Sequence, residues 1–164
     1  MNWYVLYVIT LKTDKLVKFL HKKNINAFVP MMEYYRRDKK SWDIKPMFNG
    51  YIFIKSNLDQ LEFDRVIQDM EELRDGVIRQ LKYKDTSALS DEEIDMFNKL
   101  LDEEYVLRLS YAYLEDNKAI VYKGPLKYYQ DSIVKVDKHD RVAYLDISFM
   151  ERYIKASLMI TGKI

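Results

Sequence analysis

In this chain of 164 residues, catalytic chemistry would have to come from a narrow set of side chains. There are no cysteines, which removes thiol catalysis, thiolate metal sites and disulfides together and fits a reducing cytoplasm. The two histidines are His21, amid lysines, and His139, in the charged stretch "DKHD". Neither has carboxylates at ligand spacing, so both read as exposed surface rather than as metal ligands. The carboxylates of "SDEE" (90–93) fall in a first helical turn, where they complement the helix dipole. The four glycines, Gly50, Gly76, Gly124 and Gly162, make no phosphate-cradling loop. No serine has a convincing base partner in the sequence. The expectation is a protein without catalytic residues, cofactor or metal. What remains is the chemistry of recognition.

Three segments carry it. "RRDKK" (36–40) places Arg36, Arg37, Lys39 and Lys40 beside Trp42. Such cations attract phosphates without reading sequence, and an indole can stack on an unpaired base. The same composition also suits a solvated hairpin tip. Further on, Lys123, Lys127, Lys135, Lys138, Arg141, Arg152 and Lys155 are interleaved with Tyr122, Tyr128, Tyr129 and Tyr153. Basic groups among aromatics suit RNA, whose looped-out bases stack while its phosphates pair, although any small barrel carries surface lysines. The third segment is "KPMFNGYIFIKS" (45–56), in which Phe48, Gly50, Tyr51 and Phe53 lie at the mouth of a strand. Two readings fit these rings. They cover their own core, or they serve as aromatic contacts for a partner.

The elements that must position these residues follow from the hydrophobic pattern. "NWYVLYVIT" (2–10) is a continuous apolar run and reads as a buried strand. A helix over 14–23 follows, capped by Thr13 and apolar at Leu16, Val17 and Leu20. A strand is expected over 26–35, at an edge or with a bulge because of Pro30. A polar hairpin tip over 36–43 precedes the strand at 51–55. Phe63, Ile67 and Met70 give a helix over 59–73, and a strand follows at 76–81. The segment 87–105 reads as a helix with a capping box from Ser90 to Glu93 and an apolar face at Ile94, Phe97 and Leu101. After Val106 the helical period disappears, and turns at 117–118, 123–127 and 137–140 space short strands as in a small barrel. The class is α+β, with two domains, 1–105 and 112–164. Charge is polarised along the chain. Residues 1–45 carry 10 basic and 4 acidic groups, while residues 57–104 carry 6 basic and 15 acidic. That fits solvated helix faces, or a surface that meets nucleic acid on one side only. No run approaches the ~18 apolar residues of a membrane span. The N-terminus shows no signal-peptide pattern.

Five stretches, "WYVLYVIT", "AFVPMMEYYRRDKK", "PMFNGYIFIK", "ALSDEEIDMF" and "AIVYKGPLKYYQDSIVKVD", stand in order. Together they resemble the NusG family of transcription elongation factors. The resemblance implies an N-terminal NusG-type (NGN) domain, an antiparallel sheet flanked by helices, followed by a small all-β KOW barrel. It implies a hydrophobic depression that receives the clamp helices of RNA polymerase, formed by Phe48, Gly50, Tyr51 and Phe53 and lined on its other side by Leu89, Ser90 and Ile94. It places Arg36, Arg37, Lys39, Lys40 and Trp42 near upstream or non-template DNA. Phe149, in "DISFMER", matches the loop by which family barrels meet a ribosomal protein or a termination factor, but Met150 and Glu151 replace the usual Gly-Arg there. Asn49 stands where a proline is usual, and Leu126, Tyr128 and Asp131 depart from the KOW pattern. These departures resemble a specialised antitermination paralogue, most similar to the LoaP group, with a leader RNA hairpin as partner of the barrel. The expected protein is a cytoplasmic monomer. A housekeeping NusG-type factor and a stand-alone KOW RNA-binding or ribosome-associated protein are the alternatives.

Overall fold

A computed structural model of the chain describes residues 1–82, 89–150 and 152–163. In chain order the elements are β1 (Asn2–Val8), α1 (Thr13–Lys22), β2 (Asn26–Phe28), β3 (Met31–Arg36), β4 (Ser41–Pro46), β5 (Tyr51–Ser56), α2 (Gln60–Gln68), β6 (Val77–Gln80) and α3 (Asp91–Leu100). Then come β7 (Val106–Leu107), β8 (Ser110–Glu115), β9 (Lys118–Lys123), β10 (Ile133–Asp137), β11 (Val142–Phe149) and β12 (Arg152–Lys163). The α+β class expected from the pattern is the one observed. Among the described residues no helix is long and apolar enough to cross a membrane.

The chain divides into two compact units. The first comprises residues 1–30 and 47–96. Its sheet has the order β2-β5-β1-β6 and is antiparallel throughout. β1 is buried on both faces, which is why it reads as an unbroken apolar run. On one face Tyr4, Leu6, Ile52 and Ile54 meet Leu16 and Leu20 of α1, Phe63 of α2 and Leu73. The Tyr4 and Phe63 rings stack at 3.9 Å, and the Tyr4 hydroxyl donates to the Leu58 carbonyl at 2.7 Å. Burial pushes the Tyr4 hydroxyl's pKa upward. α2 starts with a capping box in which Asp59 accepts from the Glu62 N–H and Glu62 accepts from the Asp59 N–H.

The second unit comprises residues 31–46 and 97–164. Its five-stranded sheet has the order β10-β11-β12-β8-β9, antiparallel except where β12 runs parallel to β8. Alternating small and branched residues, Ala112, Leu114, Val121, Ala143, Leu145, Ile154, Ala156 and Leu158, fill its interior. Pro125–Ser132 form 3-10 turns rather than an open loop. Gln130 ties them to β9, accepting from the Val121 N–H and donating to the Ala119 carbonyl, both at 2.6 Å. Tyr128 and Asp131 both lie in these turns, and neither has a positive φ. The β3–β4 hairpin belongs to this unit. β7 pairs parallel with β3, the Ser157 hydroxyl donates to the Glu33 carbonyl at 2.6 Å, and Glu33 Oε1 accepts from the Leu109 N–H at 2.8 Å.

Several boundaries differ from the sequence expectation. The strand expected over 26–35 is two strands separated at Val29 and Pro30, where proline offers no N–H to a ladder. β4 begins at Ser41, so the hairpin tip is shorter than 36–43. The helix expected over 59–73 stops at Gln68, and Glu71–Arg74 form a separate 3-10 turn. Thr13 is the first residue of α1 rather than its cap, with its hydroxyl donating to the Thr10 carbonyl. α3 is shorter than 87–105, and Ser87 and Ala88 lie outside the described residues.

Candidate recognition surfaces

The aromatic turn before β5 is built by a glycine. The Gly50 carbonyl accepts from the Val8 N–H at 2.7 Å, and its φ is +81°. A Cβ there would lie 2.9 Å from the Val8 carbonyl oxygen, so both conformation and space require glycine. The turn sets Phe48 parallel to Phe53 at 6.4 Å. Phe53 then meets Phe28 at 5.7 Å, and Phe28 meets Trp3 edge-on at 5.5 Å. Tyr51 stacks on Tyr7 at 4.8 Å. The Lys55 ammonium lies 4.8 Å from the Trp3 ring. Leu89 joins this row by donating its N–H to the Trp3 carbonyl at 2.8 Å. Ser90 and Glu93 close the expected capping box, and Ile94 is half-buried one turn on. Phe48, Tyr51 and Leu89 are 5%, 7% and 5% exposed, and Phe53 is fully buried.

The basic hairpin is less free than its sequence suggests. Arg36 forms a two-pronged contact with Asp38, at 2.9 and 3.4 Å, and reaches Asp43 at 3.6 Å. That contact holds the Asp38 carboxyl below the usual carboxylate range and raises Arg36 further. Arg37 pairs with Asp140 at 3.3 Å. Lys39 and Lys40 are exposed at the tip and make no ion pair among the described residues. Trp42 is half-buried against Tyr35, ring centres 5.3 Å apart.

In the second unit the expected RNA-binding residues fall into separate groups. Lys123 lies 5.5 Å from the Tyr111 ring, and Lys127, Tyr128 and Tyr129 ride on the 3-10 turns, with Tyr128 69% exposed. Lys135 sits 5.3 Å from the Tyr144 ring, and Lys138 is exposed in the β10–β11 turn. The Arg141 guanidinium lies 3.7 Å from the Tyr35 ring centre, and Arg152 is exposed at the start of β12. Phe149 is 2% exposed and meets the Phe97 ring edge-on at 5.1 Å. Glu151 lies outside the described residues. Tyr111 and Tyr113 went unassigned from sequence. Their two-residue spacing on one strand is the signal that marks them as sharing one outer face; Tyr122 falls at the register shift of the neighbouring strand β9.

The family model described as "Transcription termination factor nusG" matches residues 1–98. A solved structure described as "Domain interaction in Thermotoga maritima NusG" is similar at 11% identity and a TM-score of 0.46, covering 97% of this chain and 93% of that one. No curated protein matches this chain.

Proposed function

Because the chain belongs to the NusG family of transcription factors, we propose that it acts by binding rather than by catalysis, engaging RNA polymerase in the cytoplasm through residues 1–105. The observation that carries this is the aromatic row from Trp3 through Phe28 and Phe53 to Phe48, within the matched residues. A clamp-helix tip is the partner such a row suits, because buried aromatics are the usual determinants of helix-in-groove recognition. Phe48 and Tyr51 are buried, so engagement requires them to become exposed first. Apparent affinity is then lowered by the fraction of molecules in the open state. The test is comigration of the purified protein with a polymerase elongation complex, repeated with Phe48→Ala and Tyr51→Ala. Each variant should weaken binding by about 2 kcal/mol or more once folding has been checked by circular dichroism. Undiminished binding by folded Phe48→Ala removes the docking assignment.

The finer reading is a specialised antitermination paralogue of the LoaP type, with 112–164 as a KOW barrel that binds a leader RNA hairpin. It is supported by the recast turn at 125–132, which keeps Gly124 and Pro125 but presents Lys127 and exposed Tyr128. Upstream or non-template DNA would meet the hairpin tip. A ribosomal protein or termination factor could use Phe149 only after that ring left Phe97. Titration of the full chain against a target leader hairpin and an unrelated hairpin of equal length separates specific from general attraction, because phosphate charge is the same in both. Equal affinities would place operon selectivity elsewhere.

A further inference from the structure

The outer face of β8, β9 and β12 carries exposed rings that no structural need explains. The inward residues of these strands, Ala112, Leu114, Ala119, Val121, Ile154, Ala156 and Leu158, are already buried beneath the sheet. Outside, Tyr113 lies nearly parallel to Tyr122, 6.2 Å apart with 19° between planes, and Tyr111 stands 6.4 Å from Tyr122. Tyr111 and Tyr113 are half-buried and Tyr122 is 46% exposed. The Tyr122 hydroxyl is bonded to the Thr161 hydroxyl at 2.9 Å, which fixes the central ring in place. This is a pre-ordered aromatic platform, not a collapsed patch.

The platform continues toward the hairpin. Met159 of β12 is the register partner of Tyr111. The Arg141 guanidinium reaches the Met159 sulfur at 3.9 Å and lies over Tyr35, which in turn meets Trp42. Rings and cations therefore alternate from Trp42 to Tyr113 within one compact unit. The charge of this face is one-sided. Lys118 and Lys123 lie on β9 and Lys163 on the stretch of β12 that pairs with β8, while Glu115 is the one described acid on these stretches. Asp140, beside the path, is already paired with Arg37.

We propose that this face is a track for unpaired nucleic acid, with successive bases stacking on Tyr113, Tyr122, Tyr111 and Trp42 and the phosphates following Lys123 and Arg141. Stacking on aromatic rings tolerates any base, and a cationic groove follows a flexible backbone. A duplex hides its base faces and cannot use the rings. The inference rests in part on the reading of the barrel as a nucleic-acid-binding module, but it commits to a different surface from the Lys127–Tyr129 turn and to a different ligand from a folded hairpin.

The test uses the full chain and fluorescence anisotropy with labelled 15-nucleotide oligouridylate, oligothymidylate and a duplex of equal length. Either single strand should bind at least about tenfold more tightly than the duplex, and Tyr122→Leu should weaken that binding by about tenfold, since each stacked base contributes substantially. Tyr122→Phe, which keeps the ring, should retain it. Thermal melts establish that the leucine variant is folded, and Tyr113→Leu provides a second probe if it is not. Tighter binding of oligouridylate assigns the strand to RNA, tighter binding of oligothymidylate assigns it to DNA, and both outcomes support the track. Equal binding of duplex and single strand overturns the proposal, as does unchanged affinity in folded Tyr122→Leu. Loss confined to a Lys127→Ala/Tyr128→Ala variant also overturns it, while leaving the hairpin-RNA reading of the barrel intact.

Discussion

Gly124 and Gly162 occupy opposite extremes of tolerance. Gly124 has φ +105°, and a Cβ built on it would lie 2.5 Å from Ser110 Oγ and 2.6 Å from Ser110 Cα. The same Ser110 hydroxyl accepts from the Leu126 N–H at 3.0 Å and so starts the 3-10 turns. Gly124→Ala must strain the backbone and displace that hydroxyl, and it should cost roughly 1–3 kcal/mol in urea denaturation. Gly162 has nothing within 4 Å of a built Cβ, and Gly162→Ala should fall within about 0.5 kcal/mol of the parent. Asp102 offers a second test by charge. Burial raises its carboxyl's pKa, but bonds from Arg108 at 2.6 Å and from the Val106 and Glu104 N–H groups outweigh burial and leave it below the usual range. A depressed folded-state pKa stabilises above the unfolded-state value, about 3.9, and the contribution is lost as pH falls through the folded value. Asp102→Asn should therefore melt below the parent at pH 7. The gap should narrow at pH 3; a constant gap would show that charge plays no part.

At the scale of elements, the β3–β4 hairpin changes what its basic residues can do. Arg36 and Arg37 are committed to carboxylates, whereas Lys39 and Lys40 are open to solvent. Neutralising all four should flatten the salt dependence of DNA-fork binding by about one unit for each phosphate that is no longer engaged. Lys39→Gln/Lys40→Gln should account for most of that change, and a parental slope in this double variant would mean the tip touches no phosphate. In α2, Asp59→Ala removes a cap and should cost about 1 kcal/mol by the same denaturation measurement. Elements with a strong period were legible from sequence. β1, α1, β5 and the Ser90–Glu93 box follow directly from apolar spacing and capping chemistry. The break at Pro30 and the end of α2 at Gln68 were not, because helix and strand ends depend on local caps that a hydrophobic period does not record. The short strand β7 carried no pattern of its own. Of the recognition residues, the chemical types were legible but their pairing was not. Nothing in "RRDKK" announces that Arg37 will meet Asp140, since that pair exists only once the hairpin lies beside the β10–β11 turn.

The whole molecule is organised by interleaving. The chain passes between its two compact units after Pro30, Pro46 and Met96, so the hairpin is joined at both ends to a unit to which it does not belong. Its two tryptophans report on one unit each, Trp3 on the first and Trp42 on the second. Denaturation followed by fluorescence in Trp3→Phe and Trp42→Phe variants should give coincident midpoints, because loss of the first unit releases both ends of the hairpin. Separated midpoints would show that the units unfold independently. The bond from Ser157 to the Glu33 carbonyl sets a timetable for synthesis. Its partners are 124 residues apart, and at about 5–20 residues per second the ribosome takes roughly 6–25 s to deliver the second after the first. A two-stranded hairpin alone is marginal in water. The nascent chain thus carries its most basic segment in an unsettled state for seconds, until first β7 and then β12 emerge beside it.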